Sequence, residues 1–359
     1  MIVTRPASAP QLVLALLLAP LLAAACGGGG EGETWRFALE EIEGSVQHAY
    51  ATRFEELVEE RSGGEVDVVV YPYGALGSSA QLTEQVRSDA IQIAFASAGH
   101  LGSVIPEVQV FSLHFVFSDD PAVNHRVLTT EGPLRELLAE AYRDRGLHLL
   151  AIVPEGWMVW TADRPLRTPA DFEGLKIRTM ESPLLVESYR AYGASPTPMP
   201  YSEVYSALQL GMIDAQVNPV FAIEEMSFYE VQDVMTFANH LPFVATVVAA
   251  PAWVDGLTPD RRALLREVAI ELDTYIAEVE GELNESRLET IREQGGTEIV
   301  RLGDAERAAF RERSLPVRET YAELAGARGE RVLELLLDEV GKAEAAQPDG
   351  EDDGNAEGS

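Results

Sequence analysis

Arg178 is the side chain with the most chemistry to offer. It stands in Gly174-Leu175-Lys176-Ile177-Arg178-Thr179-Met180, where Leu175, Ile177 and Met180 predict a short buried strand. Lys176 and Arg178 alternate with Ile177, so a strand projects them from the opposite face. A guanidinium fixed on a sheet donates two parallel hydrogen bonds and suits a carboxylate. The plainer role for such an arginine is a structural ion pair. The stretch Gly211-Met212-Ile213-Asp214-Ala215-Gln216-Val217-Asn218-Pro219 repeats the pattern. Here Asp214, Gln216 and Asn218 share one face, and Ala215 and Val217 the other. Asn218 either offers a ligand a hydrogen bond or forms the turn before Pro219. Two strands of this kind predict a polar cleft between packed layers.

Patterns for catalysis and metal binding are missing from the chain. The six histidines, His48, His100, His114, His125, His148 and His240, are scattered, with no H-E-x-x-H. Cys26 is the only cysteine, so neither a thiolate metal cluster nor an internal disulfide is expected. No G-x-S-x-G elbow, Walker loop or G-x-G-x-x-G fingerprint occurs. Acids are plentiful, but no spacing singles out an acid–base pair. The expectation is a protein that is not an enzyme, with no catalytic residue, metal or cofactor.

Elements that could hold Arg178 and Asn218 in place are readable along the chain. Thr34 to Leu39, Val66 to Tyr71 and Ile91 to Phe95 predict strands. Ser45 to Ser62, stopped by Gly63, and Gln81 to Ser88 predict helices between them. This alternation predicts parallel β-α-β units. Two helices follow between Pro121 and Arg145, then strands at Leu147 to Val153 and Val159 to Thr161. Thr168-Pro169-Ala170-Asp171 carries cap, proline and acid in helix-starting order. Helices at Ser182 to Tyr192 and Ser202 to Leu210 flank the arginine and asparagine strands, and Val244 to Ala250 predicts an apolar strand. Thr258-Pro259-Asp260 opens a helix whose apolar spacing runs from Leu264 to Leu288, long for one domain. A second helical region spans Asp304 to Val340.

Length and charge bound the answer further. A chain of 359 residues with 46% apolar content suits two domains of ordinary size. A net charge of −32 argues against nucleic acid and anionic membrane surfaces as partners. Arg5, the apolar run Leu12 to Leu22 broken by Pro20, and Ala23-Ala24-Ala25 predict a signal peptide over residues 1–25. Cys26 then reads as a lipidated N-terminus, with conventional cleavage as the alternative, and residues 26–33 as a Gly-rich tether. Residues 346–359 are acidic and predict a disordered tail.

Taken as one ordered set, the stretches above resemble the substrate-binding proteins of TRAP (tripartite ATP-independent periplasmic) transporters of the DctP type. The carrying motifs are G-L-K-I-R (Gly174 to Arg178), G-A-S-P-T-P-M-P-Y-S-E-V-Y-S-A-L (Gly193 to Leu208) and G-M-I-D-A-Q-V-N-P (Gly211 to Pro219). The resemblance implies an α/β, two-lobed, periplasmic-binding-protein-like (type II) fold with a long bracing helix. Lobe 1 would take residues 34–157 with a return segment at 246–257, and lobe 2 residues 158–245. The bracing helix would take 258–295 and a C-terminal helical region 296–345. It also implies a periplasmic or extracytoplasmic protein that passes a small solute to small and large membrane subunits, touching the membrane itself only through Cys26.

Trp35 to Gln47, Pro154 to Pro165 and Lys176 to Tyr189 are similar to the ectoine-binding members of that family. This narrower resemblance implies that Arg178 takes the ligand carboxylate, Asn218 adds a hydrogen bond, Glu41 pairs with ring N–H groups and Phe243 forms one wall. Outside that context Phe243 reads equally as core and Glu41 as a solvated loop acid. Tyr201 stands where those members carry tryptophan, and His100 where they carry phenylalanine. Val217 replaces a glutamate beside the asparagine, and Met158 replaces the second arginine of many acid-binding relatives. A lone arginine argues against strongly anionic ligands. Ectoine or 5-hydroxyectoine is the first expectation; another monocarboxylate, an amino-acid derivative or a C4-dicarboxylate is the alternative, and a surface scaffold lipoprotein the alternative of another class.

Overall fold

The computed structural model describes residues 32–346. The expected signal peptide, Cys26 and nearly all of the expected tether and acidic tail lie outside them. Ten strands form one continuous sheet: β1 Glu33–Ala38, β2 Val66–Tyr71, β3 Ile93–Ser97, β4 His148–Ala162, β5 Lys176–Thr179, β6 Ser195–Pro198, β7 Ala215–Pro219, β8 Val234–Phe237, β9 Pro242–Ala249 and β10 Glu298–Arg301. Their order is β2-β1-β3-β9-β4-β7-β5-β6, with β8 also paired to β4 and β10 to β8.

The two strands expected at Leu147 to Val153 and Val159 to Thr161 are one 15-residue strand, β4. Its first half pairs with β9 and its second half with β7 and β8. Pro154-Glu155-Gly156 interrupts the alternation in sequence, and the sheet absorbs the interruption as an irregularity between Pro154 and Trp157. The expected parallel pairings hold for β1 with β2 and β3; β5 also pairs parallel with β7 and with β6, a strand not expected from the sequence. Around β4 and β9 the pairings are antiparallel, because the chain recrosses between the two halves of the sheet. Thr168-Pro169-Ala170-Asp171 makes only a single 3-10 turn, Pro169–Phe172, rather than the start of a longer helix.

Each half of the sheet carries its own core, which gives the two lobes. On the first, Trp35, Phe37, Phe54 and Phe95 are buried together, with Phe37 stacked on Phe95 at 5.6 Å between ring centroids. On the second, Trp160, Phe172, Tyr189, Tyr192 and Phe310 form a comparable aromatic group. The helix Pro259–Gln294, 36 residues long, feeds both halves. Leu264, Leu265, Val268, Leu272 and Ile276 pack into the first half, Leu288 and Ile291 into the second. Each buried leucine or isoleucine contributes about 1.5–3 kcal/mol relative to exposure, so the helix braces one half against the other.

Where β4 passes between the halves, Gly156 has φ +115° and lies against this helix. Asn284 of the helix donates from Nδ2 to the Glu155 carbonyl at 3.0 Å and accepts from the Phe221 N–H at 3.2 Å. A Cβ on residue 156 would meet Asn284 Nδ2 at 2.6 Å and Glu280 Oε1 at 3.0 Å. Gly156→Ala is therefore expected to cost at least ~1–3 kcal/mol through backbone strain alone, read as a lowered midpoint in urea unfolding. An unchanged midpoint would mean that the crossing does not need its glycine.

Candidate functional site

Ligand sites in α/β sheets lie off the carboxyl ends of parallel strands. Here those ends converge on a cavity of about 230 Å³. Glu40 and Glu41 follow β1, Tyr73 follows β2 and His100 follows β3; Arg178 sits within β5, Tyr201 follows β6, and Asn218 lies in β7. Phe243 enters from β9. The cavity thus gathers every candidate named from sequence: Arg178, Asn218, Glu41, Phe243, Tyr201 and His100. Lys176 and Asp214, placed by alternation beside Arg178 and Asn218, do not reach it. Lys176 is exposed, and the Asp214 carboxylate instead accepts the Lys176 backbone N–H at 2.9 Å. Met158 and Val217 are buried in the apolar core of the second half, since alternation turns Val217 away from the face that carries Asn218.

Arg178 is 1% exposed, yet among the described residues no carboxylate lies within ion-pair distance of it. Its Nε and Nη2 donate to the Met199 carbonyl at 3.2 and 3.0 Å, which fixes the plane of the guanidinium. Burial lowers its pKa to about 10, so it remains a cation at neutral pH. A buried, oriented cation without a carboxylate partner lacks the ion pair expected of a structural arginine.

Asn218 is held from behind by a chain of buried polar groups. Its Nδ2 donates to Gln216 Oε1, Gln216 Nε2 to Thr161 Oγ1 at 3.0 Å, and Thr161 Oγ1 to Gln232 Oε1 at 3.0 Å. The face predicted to carry Gln216 and Asn218 is therefore occupied as predicted, but Gln216 positions its neighbour and does not line the cavity.

The opposite wall is acidic. Glu41 is 6% and Glu40 7% exposed, which rules out a solvated loop for either. Glu40 accepts the Ser97 N–H at 2.7 Å, and its other oxygen lies 3.3 Å from His100 Nδ1. Ser97 Oγ also approaches His100 Nδ1, at 2.8 Å. Burial, with repulsion from Glu155 and Glu225, holds the Glu41 carboxyl well above the ordinary carboxylate range. Between the walls, Tyr201 meets Tyr73 edge-on at 5.9 Å, and its hydroxyl donates to the Ala222 carbonyl at 3.2 Å.

Sequence reading missed Tyr73 and Glu181, which line the cavity, and Glu155 and Glu225, which stand behind Glu41. Tyr73 carried a usable signal, an aromatic residue just beyond a predicted strand. Chemically, the arrangement offers a carboxylate grip at one end, acids at the other, and aromatic faces between.

Comparison with known proteins gives the family. Residues 37–324 match the model of the DctP family, bacterial extracellular solute-binding protein family 7. The ectoine-binding periplasmic protein TeaA of Halomonas elongata is 38% identical over 84% of this chain and 88% of its own. Its solved structure superposes with a TM-score of 0.84 at 36% identity, covering 86% of this chain and 100% of that one. The ectoine/5-hydroxyectoine-binding periplasmic protein UehA of Ruegeria pomeroyi is 34% identical over 88% of this chain and 93% of its own. A TRAP periplasmic solute-binding protein of Marinobacter aquaeolei, solved in an apo open state, is 50% identical with a TM-score of 0.81, covering 85% and 99% of the two chains. With its two lobes, its cleft and a family match over most of its length, the chain belongs to the DctP family of TRAP transporter periplasmic solute-binding proteins, which are receptors and not enzymes.

Proposed function

We propose that this receptor captures a small zwitterion bearing one carboxylate, with ectoine or 5-hydroxyectoine as the ligand, and hands it to the two membrane subunits of its transporter. The observation that carries the reading is the buried Arg178 guanidinium, hydrogen-bonded to the Met199 carbonyl but without an ion-pair carboxylate among the described residues, lining one cavity with buried acids. Ectoine has a carboxylate for the arginine and a delocalised amidinium for the acids. Its flat cationic ring suits aromatic walls, through stacking and cation–π attraction. Arg178 takes the carboxylate, Asn218 adds a hydrogen bond, Glu41 receives the ring N–H groups, and Phe243 and Tyr201 enclose the ring.

His100 favours a second reading in the same class. Its Nδ1 is engaged by Ser97 and Glu40, which leaves Nε2 for a ligand hydroxyl or a second polar group. A hydroxylated zwitterion or amino-acid derivative would use it. Lobe boundaries at residues 34–157 with 246–257, and at 158–245, place Glu41 and Arg178 on different lobes. A ligand touching both then holds the cleft closed by a hinge motion. The same proposal places the protein outside the cytoplasm, tethered through a lipid on Cys26; mass spectrometry of the processed N-terminus distinguishes a diacylated cysteine from a free one.

A thermal-shift screen of osmolytes and organic acids tests the ligand. At about 100 times its dissociation constant a true ligand adds about 2.7 kcal/mol, roughly 4 °C in Tm for a protein this large. Ectoine or 5-hydroxyectoine should give that shift. A shift from a C4-dicarboxylate alone would replace the ligand, and no shift from any compound would remove the zwitterion reading.

A further inference from the structure

Glu155 is completely buried in β4, one step before Gly156, and does not line the cavity. Gln47 ties it to Glu41. The Gln47 side-chain amide donates to Glu155 Oε1 at 3.2 Å, its backbone N–H approaches Glu41 Oε2 at 3.4 Å, and its own Oε1 accepts the Glu40 N–H at 2.9 Å. Glu155 Oε2 meets no donor from any N–H or hydroxyl of the described residues. It belongs to a carboxyl group within hydrogen-bonding reach of the Glu41 carboxyl. Two carboxylates cannot hydrogen-bond to each other, whereas two carboxyl groups with one proton between them can.

The surroundings do not supply a counter-charge. From the helix Val220–Glu225, Glu225 faces the pair and accepts the Ile42 N–H at 3.1 Å. Arg287 of the long helix pairs with Glu224 and not with the dyad. Glu280, on the same helix, adds another acid nearby, hydrogen-bonded to Asn284. Glu40 is occupied by Ser97 and His100. Arg178 lines the same cavity, with Tyr201, Tyr73 and the Glu181 carboxylate near it.

We propose that Glu155 sets the charge of Glu41 by sharing one proton with it in the ligand-free protein, and that a cationic ligand group displaces that proton to solvent on binding. This rests on the zwitterion reading above. Glu155 is then a positioning residue that determines specificity. A ligand with a delocalised cation trades its charge for the proton and meets a full carboxylate on Glu41, keeping its own protons. A neutral ligand of the same shape has no charge to drive the exchange and meets a protonated wall.

Burial supports this: with repulsion from Glu155 and Glu225 added it holds Glu41 high, and it raises Glu155 to about 8 and Glu225 to about 7. The signs follow from linkage. Because the proton must leave before the cation pairs, affinity rises with pH, by up to about tenfold per unit for one proton released, and levels off only where the ligand-free protein has lost the shared proton. Ligand-free stability runs the other way. A carboxyl raised in the folded state stabilises it most below the unfolded value near 4.5, and that stabilisation is lost as pH rises toward about 8.

Isothermal titration calorimetry with ectoine, in buffers of different ionisation enthalpy, measures the exchange on wild type and Glu155→Gln. Wild type should release roughly one proton and tighten up to about tenfold per unit between about pH 6 and 8. Glu155→Gln, whose amide donates permanently to Glu41, should release almost none and give a flat profile. Binding without buffer dependence in wild type, or the same pH profile in the variant, overturns the exchange. Absence of any heat with ectoine overturns the ectoine reading and its exchange together. The shared proton is then judged on ligand-free protein, where the melting temperature of wild type should fall more steeply with pH than that of Glu155→Gln; equal slopes refute it. Should Glu155→Gln fail to fold, Glu41→Gln removes the same proton and gives the same ligand-free comparison.

Discussion

Arg178→Ala is expected to weaken binding of a carboxylate ligand by about 2–5 kcal/mol, roughly 30- to 4,000-fold. The size follows from burial. Arg178 is 1% exposed and fixed by two hydrogen bonds to the Met199 carbonyl, so its charge is strong where the ligand meets it. Removing it leaves a desolvated carboxylate with no cation. Arg178→Lys should recover little of the loss, because an ammonium cannot donate two parallel bonds in one plane while also holding Met199. Titration calorimetry reads both variants. Near wild-type affinity in Arg178→Ala would place the carboxylate elsewhere.

Trp160→Ala should destabilise the fold by about 3–5 kcal/mol, a large part of the 5–15 kcal/mol typical of a whole protein. The indole is fully buried in β4, with ring centroids 4.8 Å from Phe172, 4.4 Å from His240 and 5.0 Å from Phe310. Its Nε1 donates to the Tyr189 hydroxyl at 3.0 Å, a second loss on truncation. Its backbone pairs with Val217, next to Asn218. Yet Trp160 does not line the cavity. Urea unfolding should therefore show a large drop in midpoint, while the folded fraction loses far less affinity than Arg178→Ala. A midpoint within error of wild type would contradict the packing described for this half.

Helices were legible wherever their ends carried chemistry. Ser45 caps the helix Val46–Ser62 and Gly63 ends it in the left-handed region, while Thr258 and Pro259 open the long helix, all as local sequence rules require. Strands were legible where they alternate or run apolar, as in β2. Those that escaped had physical reasons. Strand β6, Ser-Pro-Thr-Pro, contains two prolines and survives only at the sheet edge, where an N–H is not needed on both sides. Strands β8 and β10 are four residues each and gain definition only by pairing with each other and with β4.

The site divides the same way. Arg178 and Asn218 announced themselves as polar side chains at alternate positions of apolar strands, and the family motifs added Glu41, Phe243, Tyr201 and His100. Nothing local separates Glu155 from a solvated acid, because its burial depends on β4 crossing between the lobes and on Gln47 arriving from another helix. Lys176 and Asp214 show the converse. Alternation put them on the right face but cannot say where a cavity ends.

The central claim is that a ligand spans from the guanidinium of Arg178 to the carboxyl of Glu41. A crystal structure of the protein with bound ectoine tests it most directly. It should show both carboxylate oxygens within about 2.7–2.9 Å of the Arg178 guanidinium and the ring N–H groups directed at Glu41, with Tyr201 and Phe243 against the ring. Ectoine bound the other way round, or bound outside this cavity with Arg178 untouched, would contradict it.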